Sequence, residues 1–289
     1  MTGFFAAVVI LGLLFAVLFD NVSVFYGAIV LSLTFNFFSY WFADKLVMRM
    51  TGAEPASASD YPDLVVMIEN LSHTVGIPTP KLYIINDPAP NAFATGRDKK
   101  HAAVAVTTGL IPLLEKNELE GVLAHELSHI GNRDMLVSMM AVALVGVVSI
   151  LANFLLRVSW MGNDRGDRAG GLLFIAGILA SILAPIAAGL IQLAVSRKRE
   201  FLADASGALL TKYPEGLARA LEKISKFPQP MKNVSSATAH IFIANPMGHS
   251  FREDGSEEVT PMTRLFMTHP PVQDRIKALL KGSSGEQKV

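Results

Sequence analysis

Hydrophobic residues along the chain form four long blocks that are separated by polar regions. The blocks cover residues 3–19, 22–43, 135–156 and 171–196, and none contains an acidic or basic side chain. A helix that crosses a bilayer needs about 20 mostly apolar residues, so the pattern predicts four membrane-spanning helices. The last two blocks would form a helical hairpin around the polar turn 157–170, and the alternative is a hairpin buried in a soluble core. A cleaved signal peptide would explain only the first block, whose start lacks basic residues.

Basic residues next to these blocks predict how the chain is oriented. Lys45 and Arg49 follow the second block, Arg133 precedes the third, and the basic run 197–199 follows the fourth. Cytoplasmic loops are enriched in such residues, so both polar regions and the termini are predicted to be cytoplasmic. The 157–170 turn also contains arginines, which are offset by Asp164 and Asp167.

The first polar region, 44–134, has the pattern of an α+β unit. Its apolar stripe predicts a helix that Asp60 and Pro62 open and that stops at Gly76. Segments 81–86, 91–95 and 102–107 are typical of short strands. A further helix is predicted from Asn117, because Asn117 and Glu120 have capping-box spacing.

The second polar region, 197–289, begins with helical patterns and loosens over residues 228–260, which we interpret as a lid or substrate gate. A last helix is predicted over 271–280, before a Gly/Ser tail with the composition of disorder. The predicted organisation is therefore two helices in 1–43, the first polar region in 44–134, the hairpin in 135–196 and the second polar region in 197–289.

Composition excludes several classes of function. Hydrophobic residues make up 51% of the chain and charged residues 17%, whereas soluble domains have roughly 25% charged residues. The formal net charge is zero, so no basic field suggests a nucleic-acid partner. The chain has no cysteine, which excludes disulfides, thiolate metal sites and cysteine nucleophiles. Any metal ion must be bound by His and carboxylate side chains.

The sequence His125-Glu126-Leu127-Ser128-His129 carries the strongest chemical signal. Residues four apart lie on one face of a helix, so both imidazoles can reach one ion. The carboxylate of Glu126 would lie beside a water activated by that ion, as in zinc hydrolases. The alternative is a histidine pair without a metal.

A catalytic zinc site usually has three protein ligands, and Glu200 is the best candidate for the third. The predicted hairpin returns the chain to the membrane face from which the His125–His129 helix departs, close to Glu200. Asp204, one turn later, could accept the N–H of a ligating histidine. Without that topology, Glu200 would be read as a solvated carboxylate at a helix end.

Four motifs resemble one known family. HELSH, REFLADASG, the upstream NAFATG and the downstream THPPVQDRI are similar to the HtpX-type membrane proteases of the M48 metallopeptidases, a group that includes the Ste24 CAAX proteases. The resemblance covers nearly the whole chain. It implies an α+β, zincin-like (gluzincin) peptidase fold that is mainly helical with a small sheet, interrupted by a transmembrane hairpin and preceded by two transmembrane helices.

The resemblance also assigns roles to residues. It implies one Zn²⁺ per chain bound by His125, His129 and Glu200, with Glu126 as the catalytic base and Asp204 supporting a ligand. His269 and Arg275 would stabilise the oxyanion; without the family, both would be read as ordinary loop and surface residues. The strand Asn91, Ala92, Phe93 and Ala94 would hold extended substrate.

The predicted function is a zinc metalloendopeptidase in the bacterial inner membrane, active on the cytoplasmic side. It would cleave unfolded or misfolded polypeptides in stress response and protein quality control. One alternative is a membrane scaffold or chaperone that zinc only stabilises, which would have no use for Glu126. Another is a transporter, which would usually have an ionisable residue inside a span.

Overall fold

The computed structural model describes residues 22–134, 197–232, 238–247 and 269–285. The chain divides into two compact units. One comprises Met1–Asp44 and Met139–Ala188, and the other comprises Lys45–Ser138 and Gly189–Val289. The second unit contains all the predicted site residues.

The first described element is helix α1, Val22–Thr51. It covers the predicted second span, 22–43, whereas the other three predicted spans lie outside the described residues. No helix in the described part of the chain has both the length and the apolar character that a bilayer crossing requires. The four-span topology therefore stays a prediction.

The second unit contains a four-stranded sheet of β1 Ala53–Pro55, β2 Lys81–Ile85, β3 Ala92–Gly96 and β4 Ala102–Thr107. The strand order is β1-β2-β4-β3. Strands β2 and β4 are parallel, and the other two pairs are antiparallel. The three predicted strands are confirmed to within one residue at each end, β1 was not predicted, and β3 lies at one edge of the sheet.

Helices pack against this sheet to form the core. They are α2 Pro62–Val75, α3 Leu110–Leu113, α4 Lys116–Asn132, α5 over 197–211, α6 Pro214–Ser225 and α7 Val272–Gly285. The predicted limits of α2 are confirmed, because Pro62 opens it and Gly76 ends it with a left-handed φ of 72°. Helix α4 lies centrally, with Leu123 and Leu127 fully buried in the core.

The capping box of α4 differs from the prediction. The helix begins at Lys116, and the box is formed by Glu115 and Glu118 rather than by Asn117 and Glu120. The Glu118 carboxylate accepts the Glu115 N–H at 2.9 Å and also contacts Lys223 of α6 at 2.7 Å. The pairing of buried Glu118 with Lys223 of α6 favours the Glu115–Glu118 box. The spacing of Asn117 and Glu120 in the sequence could not reveal this contact.

Two predictions about the second polar region are corrected. Helix α7 runs to Gly285, so the predicted disorder does not begin after residue 280. In the loose 228–260 segment, residues 238–247 include a 3-10 turn, Ala239–Ile241, and the buried residues Phe242 and Ile243. That part of the predicted lid belongs to the core, because its side chains pack in both apolar clusters.

Close packing of α4 on α6 depends on Gly121. A Cβ at this position would lie 2.8 Å from the backbone N of Leu217, and backbone atoms cannot move away as a side chain can. On the same helix, a Cβ at Gly131 would meet only a Val75 methyl group at 3.1 Å.

We expect Gly121→Ala to lower the free energy of unfolding by about 1–3 kcal/mol, because overpacking outweighs the gain in helix propensity. The midpoint of thermal unfolding of the purified protein measures the change. Gly131→Ala is the matched control and should leave the midpoint unchanged or slightly raised. Equal midpoints for both variants would contradict the close α4–α6 approach.

Candidate metal centre

Helix α4 carries His125 and His129 one turn apart, with their rings in edge-to-face contact. The two Nε2 atoms are 3.1 Å apart and the ring planes are perpendicular. The His125 side chain is 1% exposed and the His129 side chain 15% exposed. The predicted histidine pair is therefore brought together at the edge of the core.

Helix α5 brings the carboxylate of Glu200 to the same point. Its Oε1 lies 3.5 Å from His129 Nε2, and its Oε2 lies 3.7 Å from His125 Nε2. Two ligand atoms bound at about 2.0–2.1 Å to one tetrahedral ion are separated by about 3.3 Å. The three side chains could therefore hold one metal ion between them.

The chemistry of this donor set fits a divalent metal. Glu200 Oε2 is buried and makes no hydrogen bond of good geometry with the described residues, although His269 Nδ1 and Arg275 Nη1 lie 3.0 and 3.4 Å away. A buried carboxylate oxygen without a well-formed hydrogen bond costs free energy, and a bound cation would stabilise it. Two imidazoles and a carboxylate, without sulfur, are a common set of zinc ligands.

Each histidine has a carboxylate behind its ring. His125 Nδ1 lies 2.9 Å from Asp204 Oδ1, and His129 Nδ1 lies 3.2 Å from Asp134 Oδ2. A carboxylate accepts the Nδ1–H of a neutral imidazole, which leaves the Nε2 lone pair for a metal. The predicted position of Asp204 beside a histidine is therefore what the structure has.

Asp204 is in turn held by Arg275 of α7. The guanidinium donates from Nε and Nη2 to the two carboxylate oxygens at 2.8 and 2.7 Å, and from Nη1 to the Ile243 carbonyl at 2.8 Å. Burial by itself would raise the pKa of Asp204, but Arg275 lowers it to about 2. Asp204 is thus an ionised acceptor behind His125.

His269 also contacts Glu200 and is 7% exposed. Its Nδ1 is 3.0 Å from Glu200 Oε2, yet neither ring nitrogen makes a hydrogen bond of good geometry with the described residues. Burial would raise the pKa of Glu200, whereas the charges of His269 and Arg275 hold it well below its usual range. His269 therefore has donor capacity directed at the site.

The carboxyl group of Glu126 is buried beside the three metal-facing side chains but is not one of them. Burial raises its pKa to about 7, an effect that the charge of His129 and an N–H donated by Ala94 partly offset. A carboxylate with a pKa near neutrality can take up a proton and give it back during a reaction.

The protonation of His129 also points to a cation site. Burial by itself would lower the pKa of this imidazole, but its hydrogen bond to Asp134 and the charge of Glu200 raise it to about 9. The negative charges around Nε2 therefore attract a positive charge, and a metal ion binds there by replacing the proton.

The first two residues of the predicted substrate strand contact the chain itself. The Asn91 carboxamide donates from Nδ2 to the Ala244 carbonyl at 3.0 Å and accepts the Ala244 N–H at 3.3 Å. The Ala92 carbonyl accepts the Ile243 N–H at 2.9 Å. These groups hold the 243–244 backbone against the edge of β3.

The last two residues of that strand differ in accessibility. Phe93 is fully buried and packs edge-to-face on Phe242, with ring centroids 5.1 Å apart. Ala94 is partly exposed and donates its N–H to Glu126. The end of the strand at Ala94 therefore borders the candidate metal centre.

Sequence reasoning missed Asp134 and Arg199. Asp134 contacts His129, and Arg199 donates from Nη1 to Asp134 Oδ1 at 2.6 Å. The only available signals were an aspartate five positions after His129 and an arginine next to Glu200. Arg199 was grouped with the neighbouring basic residues as a membrane-flanking charge, and Asp134 had no partner close in sequence.

Comparison with known proteins shows which family the chain matches. The profile of peptidase family M48 matches residues 58–283. A "Protease HtpX homolog" of Pyrococcus furiosus is 48% identical over 257 residues, covering 88% of this chain and 85% of the relative. Another from Syntrophobacter fumaroxidans is 46% identical over 259 residues, covering 87% of each protein. A third, from Tropheryma whipplei strain Twist, is 44% identical over 261 residues and covers 90% of this chain and 86% of its own.

A solved structure shows the same fold. The crystal structure of S. mikatae Ste24p superposes with a TM-score of 0.58 at 19% identity, over 95% of this chain and 62% of the Ste24p chain. At this identity the likeness concerns the fold alone. The family profile covers the HExxH helix, Glu200 and α7 up to residue 283. The chain therefore belongs to peptidase family M48 and is a metalloprotease.

Proposed function

We propose that the chain is a zinc-dependent endopeptidase whose ion is bound by His125, His129 and Glu200. The convergence of two Nε2 atoms and the buried Glu200 carboxylate on one point carries the proposal. The buried carboxyl of Glu126 beside them favours catalysis over a scaffold, because a structural metal site has no use for a base.

A zinc ion bound there would supply a Lewis acid that acidifies a water and polarises the scissile carbonyl. Glu126 takes the proton of the attacking water and delivers it to the leaving amine, so no covalent enzyme intermediate forms. His269, with its ring nitrogens free of hydrogen bonds to the described residues, donates to the developing oxyanion.

Arg275 was predicted as a second oxyanion donor, and its contacts support a different role. Nε, Nη1 and Nη2 already donate to Asp204 and to the Ile243 carbonyl. We therefore assign Arg275 to positioning: it holds Asp204, which in turn fixes the tautomer and orientation of His125.

We infer that substrate binds as an extended backbone beside Ala94, at the middle of β3. Ala94 borders Glu126, while the 243–244 backbone occupies Asn91 and Ala92. Binding through the backbone at a strand edge makes little demand on side chains. Broad cleavage of unfolded or misfolded polypeptides follows, which is suited to protein quality control.

We propose that the protein acts at the inner membrane of a bacterium, with the peptidase unit in the cytoplasm. The four charge-free blocks support this, as do the large apolar side chains that α1 exposes. Among the described side chains of α1, those with more than half of their surface exposed are Val22, Tyr26, Val30, Leu33, Phe37 and Leu46.

Replacing Glu126 with Gln should lower kcat for an unfolded test protein by at least about a hundredfold, because the base that accepts the water proton is removed. Zinc should stay bound in stoichiometric amount, since Glu126 is not one of the three metal-facing side chains. Cleavage assays and metal analysis of the purified variant measure both quantities.

Two further variants sharpen that result. His125→Ala should lose both zinc and cleavage, whereas Glu120→Gln, which makes the same change on the same helix, should affect neither. Wild-type cleavage by Glu126→Gln would refute the assignment of the base.

His269→Ala should lower kcat by about 10²–10³ with little change in KM, because an oxyanion donor acts in the transition state. Zinc content should be unaffected. His73→Ala, which removes an exposed histidine of α2, is the control. A rise in KM at constant kcat would show instead that His269 binds substrate in the ground state.

Because the chain has no cysteine, single cysteines can report its orientation. In intact cells, Gly162→Cys in the 157–170 turn should react with an impermeant maleimide. Ala58→Cys should react only after the cells are permeabilised. Equal labelling of both variants from outside, or recovery of the protein in the soluble fraction, would contradict the proposed location.

A further inference from the structure

The two metal-facing histidines each contact a carboxylate, and the two carboxylates come from different parts of the chain. Asp204, behind His125, lies on the same helix as Glu200, whereas Asp134, behind His129, follows the end of α4 directly. Arg133 makes the turn between the end of α4 and Asp134. Its φ of 62° is left-handed, and its N–H donates to the His129 and Ile130 carbonyls. This reversal returns the Asp134 carboxylate to the His129 ring.

Asp134 uses its two oxygens for two different partners. Oδ2 lies 3.2 Å from His129 Nδ1, and Oδ1 accepts from Arg199 Nη1 at 2.6 Å. Arg199 directly precedes Glu200, so one carboxylate connects the helix of the second proposed ligand with the helix of the third. The partners are 65 positions apart in sequence, and the 135–196 segment lies between them.

The burial of these groups makes the connection strong. The side chain of Asp134 is 8% exposed and that of Arg199 is 31% exposed. A carboxylate with so little solvent contact needs polar partners, and the short hydrogen bond from the Arg199 guanidinium supplies one. Arg199 therefore holds Asp134 where its second oxygen faces His129 Nδ1.

We propose that Asp134 and Arg199 are positioning residues for the metal centre. The Arg199–Asp134–His129 chain directs His129 Nε2 toward Glu200 and sets the separation of α4 from α5. It also joins α4 to α5 across a sequence separation of 65 positions. The inference rests on the proposed metal site.

The first test is zinc affinity, measured by titration against a competing chelator on the full-length protein. Asp134→Ala and Arg199→Ala should each weaken zinc binding about 10–100-fold, the usual effect of losing a group that orients a ligand. The double variant should be no weaker than Asp134→Ala alone, because both changes break one chain of contacts. Arg199→Lys should restore most of the affinity, because the contact uses a single nitrogen.

Lys198→Ala is the matched control, since it removes one positive charge from the same helical turn at an exposed position. It should bind zinc as the wild type does. The visible absorption of the cobalt-substituted protein should shift in Asp134→Ala and stay unchanged in Lys198→Ala, because the bands report ligand geometry rather than overall stability.

The proposal fails if Asp134→Ala and Arg199→Ala retain wild-type zinc affinity and cobalt spectra, or if their losses add in the double variant. If an alanine variant does not fold, Arg199→Lys and Asp134→Asn decide the question by the same titration. Zinc binding that survives His125→Ala would instead overturn the metal site itself. The two failures are therefore distinguishable.

Discussion

The site contains several ionisable side chains that are buried together around one point. Its structure depends on how their charges are compensated without water. Glu126, Glu200, Asp204 and Arg275 are all nearly inaccessible to solvent. An isolated ion buried in a protein costs several kcal/mol, so each needs a compensating partner. Arg275 compensates Asp204 through two hydrogen bonds, whereas Glu200 Oε2 has ion-pair contacts with His269 and Arg275 but no hydrogen bond of good geometry among the described residues. A cation between Glu200 and the histidines would complete the compensation.

The fold meets this requirement by bringing helices unusually close to each other. A Cβ on Gly207 of α5 would lie 3.0 Å from the backbone N of His125, so a larger residue would separate α5 from α4. The close crossing places Glu200 opposite both Nε2 atoms. One turn earlier on α4, Gly121 allows a similar approach by α6. The helix with the metal-facing histidines is therefore held by backbone contacts at two successive turns, which limits how far its side chains can shift.

Local patterns predicted much of this arrangement. The four-residue spacing of His125 and His129 defines one helical face, and the proposed return of the chain to its starting side, together with the family resemblance, selected Glu200. The strands and α2 followed from apolar periodicity and from proline and glycine at the helix ends. Asp134 and Arg199 could not be predicted, because their contact depends on a left-handed turn at Arg133, a residue type that seldom adopts that conformation.

The predicted capping box of α4 and the predicted role of Asn91 differ from the structure for the same physical reason. Glu118 caps α4 because its carboxylate also binds Lys223, which is 105 positions away. Asn91 holds Ala244, which is 153 positions away, so a residue predicted to face substrate contacts the chain's own backbone. In both cases a distant partner decided between local alternatives. The predicted membrane spans are a different matter, since three of the four lie outside the described residues.

The most direct measurement of the central claim is zinc X-ray absorption on the purified, zinc-loaded protein, with the metal content determined on the same sample. The account predicts one zinc ion per chain, with two imidazole nitrogens at about 2.0–2.1 Å and oxygen ligands completing the shell. Substoichiometric zinc, or a spectrum without imidazole scattering, would contradict it.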